Sequence, residues 1–164
     1  MKLKNVIVSF LITFLFWILL NNTFDPLILA LGAGLSLLLS LLFCARCDVF
    51  SEIKLTPSAF FYTLVYLGVF IKELVKSNLD VARRVITPSL PINPGIVEAR
   101  TRLKSKMGRM ILANSITLTP GTLTIDMIDN TLYIHWIDVE TEDIEGATQK
   151  IVRKFEKYLE KIYG

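Results

Sequence analysis

The sequence predicts a membrane protein in two parts: a transmembrane α-helical hairpin with an amphipathic or interfacial third helix, followed by a small α+β cytoplasmic domain. Three observations predict this architecture. The chain of 164 residues opens with two long apolar runs. Charges are sparse before Lys72 and dense after Arg83, although the hydrophobic fraction is 52% overall. After a proline-rich segment, short alternating and helical patterns follow in the order β-α-β-β-α.

Residues 1–55 predict a transmembrane helical hairpin. Val6 to Leu20 and Leu27 to Cys44 are apolar runs that approach the roughly 20 residues needed to cross a bilayer core, and a polar turn separates them. Backbone groups in lipid must be satisfied internally, so such runs are helical. A cleaved signal peptide is disfavoured, because no small-x-small site follows the first run and the second run begins at once.

The second helix carries a face of small residues at every fourth position: Gly32, Ser36 and Ser40. Small residues at this spacing allow another helix to approach closely. The face seats either the first helix of the same hairpin or a helix of a partner subunit, and the sequence leaves both open. Trp17 suits an anchor at the membrane interface.

The charges that flank the hairpin predict its orientation. Lys2 and Lys4 precede the first helix, Arg46 and Lys54 follow the second, and the connecting turn carries only Asp25. By the positive-inside rule, both ends of the hairpin face the cytoplasm.

Neither apolar run contains Asp, Glu, Lys, Arg or His. A proton or cation path through a membrane normally needs buried ionisable groups. The chain does not supply such a path by itself, which predicts an accessory membrane subunit rather than an autonomous transporter.

Residues 56–87 predict a long amphipathic or membrane-embedded helix, with Thr56 as its N-cap and Pro57 at its first position. The first half is apolar and the second half amphipathic, so we expect a helix that is embedded at its start and leaves along the membrane surface. A true third span is the alternative, and it would place the C-terminal half outside. Arg83 and Arg84 either contact anionic lipid head groups or form a solvated basic face.

Residues 88–95 predict a linker, because three prolines exclude a helix or a central strand. Residues 96–164 predict the small cytoplasmic α+β domain. Its predicted elements are a strand at 96–103, a helix at 105–113, a hairpin of strands at 123–128 and 132–139, and an amphipathic helix after Thr141. The predicted buried residues of the first of these helices are Met107, Met110, Ile111 and Ala113.

Residues 114–122, with the sequence NSITLTPGT, predict a strand and a turn before the next strand. Thr117 and Thr119 alternate with apolar neighbours, which is the period of a pleated segment. Pro120 and Gly121 suit a turn, because proline presets φ and glycine accepts positive φ. Thr122 either caps the turn backbone or belongs to a nest of amides that holds an anion, and we favour the structural role.

No catalytic, metal or cofactor site is predicted. His135 and Asp138 fall on opposite faces of a strand, so they do not form a base and its orienting acid. We expect a structural histidine, with pH sensing as the alternative. Cys44 and Cys47 end an apolar run rather than opening a helix in a strand-helix-strand unit, so we interpret them as incidental thiols. A net charge of +3 without a basic-aromatic module argues against nucleic acid.

The NSITLTPGT segment, followed after the hairpin turn by LYIHWID at residues 132–138, resembles the E subunit of the multisubunit Na⁺/H⁺ antiporters of the Mrp type. The resemblance extends over nearly the whole chain. It implies an accessory, multi-pass subunit of the bacterial inner membrane, in a complex related to the membrane arm of respiratory complex I. That complex exchanges cytoplasmic Na⁺ for external H⁺ and serves cation efflux and pH homeostasis.

The resemblance also implies that the partners are the lipid bilayer and the other subunits of the complex, with Na⁺ and H⁺ carried by the whole assembly. It points to a subunit-interface motif formed by Thr117, Thr119, Pro120, Gly121, Thr122, His135 and Trp136. The alternative is an independent membrane-anchored module that binds anionic lipid or a cytoplasmic partner.

Overall fold

The computed structural model describes residues 3–44, 52, 54 and 56–164. Predictions that concern Lys2, Arg46 and Cys47 lie outside the described residues. The chain divides into two compact units, Met1–Ile53 and Lys54–Gly164, and each is described by itself. Among the described residues, three helices are long and apolar enough to cross a membrane.

The first unit is a helical hairpin of α1 (Leu3–Asn21) and α2 (Pro26–Cys44). Its turn is closed by side chains that satisfy free backbone groups. The Asp25 carboxylate accepts from the Leu27 amide at 2.8 Å, as an N-cap does. The Trp17 indole donates to the Ile28 carbonyl at 3.0 Å, which ties the end of α1 to the start of α2.

The small-residue face of α2 lies against α1. Ser36 and Ser40 are buried, and the Ser40 hydroxyl donates to the Ser36 carbonyl at 2.7 Å. A Cβ at Gly32 would overlap the Trp17 ring, so glycine at this position makes room for the indole. In the described structure the face therefore seats the first helix, and contact of the same residues with a partner subunit stays a prediction.

Replacing Gly32 with Val is expected to destabilise the hairpin by about 1 to 3 kcal/mol, because the new side chain overpacks the Trp17 site. The measurement is a titration with SDS of the full chain in mild detergent, followed by Trp17 fluorescence in a Trp136→Phe background. Gly34→Val is the matched control, since nothing lies within 4 Å of a Cβ at Gly34. Equal midpoints for the two variants would contradict the packing role of Gly32.

The second unit begins with α3 (Pro57–Ile86) and continues through β1 (Gly95–Arg100), α4 (Lys106–Leu118), β2 (Thr122–Ile128) and β3 (Thr131–Trp136). It ends with α5 (Ile144–Ala147), a π-helical turn (Thr148–Val152) and α6 (Arg153–Tyr163). The predicted order β-α-β-β-α is confirmed, as is the start of α3, where the Thr56 hydroxyl accepts from the Ala59 amide.

In the described part of the chain, β1, β3 and β2 form one antiparallel sheet in that order. One face of the sheet packs on α4, α5 and the π-helical turn. The predicted alternation in β1 holds, with Val97 and Ala99 buried. α3 packs along α6, with the Tyr66 and Phe70 rings each 6.4 Å from the centroid of Phe155. The core consists of Val97, Ala99, Leu103, Leu112, Ile116, Leu132, Ile134, Ala147, Ile151, Val152, Phe155, Leu159 and Ile162.

The proline-containing linker is bound to the continuation of β3. The Asn93 amide donates to the Ile137 carbonyl at 3.1 Å, and the Asn93 carbonyl accepts from the Val139 amide at 2.8 Å. Arg84 also donates to the Pro91 carbonyl at 2.6 Å. These bonds fix the path from α3 to β1.

The prediction of a strand at residues 114–119 was wrong, because α4 continues to Leu118. Leu112 and Ile116 are fully buried and four residues apart, so the helical period carries the core contacts and overrides a short alternating pattern. The predicted buried face was also wrong at Met110, which is 51% exposed. β1 ends at Arg100 rather than at residue 103.

Candidate functional site

The threonines of residues 117–122 bind the free backbone groups at the end of α4. The Thr119 hydroxyl donates to the Ser115 carbonyl at 2.5 Å, and the Thr122 hydroxyl donates to the Ile116 carbonyl at 2.7 Å. The Thr117 hydroxyl accepts from the Thr124 amide at 3.2 Å. The last carbonyls of a helix lack intrahelical partners, so these side chains cap α4 and join it to β2.

Gly121 makes the turn between α4 and β2 possible. Its φ of +93° lies in the region that favours glycine. Its carbonyl accepts from the Ile137 amide at 2.9 Å, and a Cβ there would approach the Ile137 side chain to 3.1 Å. The turn therefore packs directly on the residues after β3.

A cleft of about 530 Å³ opens beside this turn. Four parts of the chain line it: the turn itself, the end of β3 with the residues after it, the polar face of α3, and the π-helical turn with the start of α6. Trp136 and eight charged residues are among those that line the cleft; the charged residues are Glu73, Lys76, Asp80, Arg84, Asp138, Glu140, Lys150 and Lys154.

Arg84 joins α3 to the end of the sheet at one side of the cleft. Its guanidinium donates to the Asp80 carboxylate and to the Asp138 carboxylate, each at 2.7 Å. A third bond, to the Pro91 carbonyl, uses another of the five guanidinium N–H donors. Asp138, which the sequence predicted not to pair with His135, is bound by Arg84 of α3.

Two further ion pairs lie in the cleft. Lys154 of α6 lies 3.3 Å from the Glu73 carboxylate of α3, and Lys150 pairs with Glu140. Lys76 lines the cleft without an ion pair in the described part of the chain. The charged side chains that line the cleft are four acidic and four basic, so their formal charges balance.

The structure brings together part of the predicted motif. Thr119, Pro120, Gly121, Thr122 and Trp136 line the cleft together. Thr117 lies one turn back on α4 and is exposed.

His135 is not part of the cleft. It pairs with Ile96 on one side and Leu123 on the other, on the face of the sheet that the helices do not cover. Ile96 and Leu123 are both exposed on this face. Among the described residues, no group of three His, Cys, Asp or Glu side chains is placed to hold a metal ion.

Sequence reasoning missed the contribution of α3 to this site. The second half of this helix was predicted only as amphipathic, and Arg84 only as a lipid contact or part of a solvated basic face. Glu73, Asp80 and Arg84 are spaced by seven and four residues, which places them on one helix face, and this spacing is the signal that was available. Their partners Asp138 and Lys154 lie 54 and 81 positions away, so only the tertiary fold identifies the pairs.

Comparison with known proteins gives consistent matches over nearly the full length. A family model described as a Na⁺/H⁺ ion antiporter subunit matches residues 10–162. The E1 subunit of the Na⁺/H⁺ antiporter of Staphylococcus haemolyticus is 34% identical over 161 residues, which cover 91% of this chain and 95% of that protein. The E1 subunit of Staphylococcus aureus is 31% identical with the same coverage.

A solved structure is also similar. A chain of the membrane-bound sulfane sulfur reductase, an archaeal respiratory membrane complex, has a TM-score of 0.84 and 40% sequence identity to this chain. The match covers 95% of this chain and 97% of that one.

Proposed function

Because this chain belongs to the Na⁺/H⁺ antiporter subunit family, among its E-type members, we propose that it is a non-catalytic membrane subunit of a multisubunit cation/proton antiporter complex. In this proposal it supports assembly and stability, and the complex as a whole performs cation efflux and contributes to pH homeostasis. Its partners are the other subunits and the lipid bilayer.

The observation that carries the accessory role is the chemistry of the hairpin. Between Asn5 and Cys44 the chain has one charged residue, Asp25, and this residue caps α2 in the turn. Ion paths through a membrane are built from ionisable groups that pair or relay protons inside the bilayer. A subunit with such a hairpin leaves ion translocation to its neighbours and contributes packing surface.

We place the protein in the cell membrane with its hairpin termini and its C-terminal domain on the cytoplasmic side. The charge distribution supports this orientation, since Lys4 and Lys54 lie at the two ends of the hairpin and the turn carries Asp25.

We further propose that the turn and the cleft form a contact surface for a neighbouring subunit. Thr119 and Thr122 are used to cap α4, so they shape this surface rather than bind directly. Leu118, next to them, is 60% exposed and has an apolar side chain that a partner would cover.

The decisive experiment is purification of the assembled complex from membranes in mild detergent, through a tag on this chain. We expect the large antiporter subunits to co-purify with the unmodified chain. Leu118→Asp is expected to lower their recovery at least tenfold, because a carboxylate would be desolvated in the interface. Met110→Asp on the same helix is the control, since Met110 is 51% exposed and outside the motif.

Full recovery of the complex with Leu118→Asp would show that the turn is not part of the interface. Recovery of the unmodified chain without any other subunit would overturn the proposal that it is a subunit. The second result would favour the independent membrane-anchored module.

One observation favours a second assembly. The similarity to a chain of an archaeal respiratory membrane complex, at 40% identity, exceeds the identity to the two antiporter subunits above. The same purification distinguishes the two, because a preparation of a sulfane sulfur reductase would reduce sulfane sulfur when given an electron donor, whereas a pure antiporter would not.

A further inference from the structure

We propose that α3 lies in the plane of the membrane interface and binds anionic phospholipid head groups along one flank. This inference concerns the second unit and the bilayer, and it holds whichever complex contains the chain.

The inner face of α3 is used by the domain. Tyr62, Tyr66 and Phe70 pack against the domain core, and Glu73 and Arg84 continue the same face toward the cleft. The Tyr66 hydroxyl also hydrogen-bonds the Ser115 hydroxyl of α4. Protein therefore covers one side of this helix along most of its length.

The outer face of α3 is apolar over the same length, apart from the exposed Asn78. Phe60, Leu64, Leu67, Ile71, Val75, Leu79 and Ile86 are each more than half exposed and recur at intervals of three, four or seven residues. They form one stripe, which we call the outer stripe, and no charged residue falls within it. Soluble proteins rarely expose an apolar stripe of this length to water, so we expect another apolar surface to bury it.

The charges beside the outer stripe indicate what covers it. At 100° per residue, Lys72, Lys76 and Arg83 lie about 80 to 120° from the centre of the stripe, on the same flank. None of the three pairs with an acidic side chain in the described part of the chain. The acids of this helix point the other way, because Asp80 pairs with Arg84 and Glu73 with Lys154.

An apolar stripe with a one-sided basic flank matches a membrane surface that contains anionic lipid. Such a helix buries its apolar face roughly 5 to 10 Å deep, while Lys and Arg reach the head groups. A spanning orientation fits poorly, because α6 packs along α3. Spanning would carry α6 into hydrocarbon together with Arg153, Lys154, Lys157 and Lys161.

The test uses the full chain, with Cys44 and Cys47 changed to Ser, reconstituted into nanodiscs of phosphatidylcholine with or without 30% phosphatidylglycerol. A fluorophore is attached at Phe60→Cys or at Leu79→Cys, which are about 28 Å apart along the helix. Doxyl lipids that carry the quencher at shallow or deep positions report the depth of each site. Glu98→Cys, on the uncovered face of the sheet, is the control for a site away from lipid.

We expect both α3 sites to be quenched at the same shallow depth, and Glu98→Cys not to be quenched. Changing Lys72, Lys76 and Arg83 together to Gln is expected to lower the ratio of docked to undocked helix in phosphatidylglycerol by about 100-fold, or about 5-fold per residue. The charge-preserving set Lys72→Arg, Lys76→Arg and Arg83→Lys should retain docking.

Three results would overturn the proposal: no quenching at either site, unequal depths at the two sites as in a spanning helix, or no effect of the Gln set. Each leaves the subunit proposal standing if the complex still co-purifies. A protein that docks on lipid but purifies alone would instead reject the subunit proposal and keep this one.

Discussion

Phe155→Ala is expected to lower the free energy of unfolding of the C-terminal domain by about 3 to 5 kcal/mol, the range for truncating a fully buried aromatic ring. The Phe155 side chain is completely buried. It lies between the core under the sheet and the Tyr66 and Phe70 rings of α3. Its removal opens a cavity and also removes the packing that holds α3 on α6.

The measurement is pulse proteolysis of the full chain in detergent across a urea series, with hydrogen exchange of the α3 amides as the second readout. Tyr158→Ala is the control, since this ring is half-buried on the same helix and its main contact is the Lys157 ammonium, 4.8 Å from the ring centroid. We expect a loss of stability below about 1.5 kcal/mol there. Faster exchange in α3 only for Phe155→Ala would identify the ring as the link to that helix.

Glu156→Ala is expected to cost a similar amount, about 3 to 5 kcal/mol, for an electrostatic reason. The carboxylate is fully buried in α6. It accepts from the Thr101 hydroxyl at 2.5 Å and from the Arg102 amide at 2.6 Å, and it pairs with Arg153. Without it, two buried donors and a cation lose their acceptor.

Glu156→Gln separates these contributions. The amide oxygen can still accept from Thr101 and Arg102, while the ion pair with Arg153 is lost, so we expect a loss of about 1 to 2 kcal/mol. Glu160→Ala, an exposed carboxylate one turn later, should change stability by less than about 0.5 kcal/mol. Urea unfolding monitored by circular dichroism gives all three values. Equal effects of the Ala and Gln variants would show that the hydrogen bonds contribute little.

The buried Glu156 also shows where sequence periodicity fails. The last helix was predicted to be amphipathic, and Ile151, Phe155 and Leu159 lie on its buried apolar face. Glu156 follows Phe155 directly on α6, at the edge of this face, and its buried carboxylate is bound by Thr101, Arg102 and Arg153. A charged residue is rarely buried without such partners, and the helical period of the sequence does not reveal them.

Elements with long and uniform patterns were predicted well, including the hairpin, α3 with its Thr56 cap, and the alternation in β1. The segment of residues 114–119 was not, because four alternating residues fit a strand or a helix end equally well. The helix is favoured because it buries Leu112 and Ile116 in the core and because threonine hydroxyls cap its end. Both features depend on the tertiary structure, so the local sequence pattern does not reveal them.

The sequence predicted the turn of the candidate site but not the charged residues that surround the turn. Pro120 and Gly121 form the turn that the sequence indicated, and Trp136 lies beside it. The separation of His135 from this group follows from strand alternation alone. The Arg84–Asp138 pair joins the cleft to a helix that the sequence predicted to be amphipathic or membrane-embedded. The role of the motif in subunit contact stays a prediction that the Leu118→Asp experiment tests.

The packing of α3 on α6 has a consequence for synthesis of the chain. Tyr66 leaves the ribosome 89 residues before Phe155, the ring that covers it. At 5 to 20 residues per second, this delay lasts about 4 to 18 s. During that interval the inner face of α3 is without α6, its protein partner, and the bilayer beside the ribosome is the nearest apolar surface. In the interfacial placement that we propose, the helix reaches the membrane before its domain exists, and the domain folds onto a helix that is already in place.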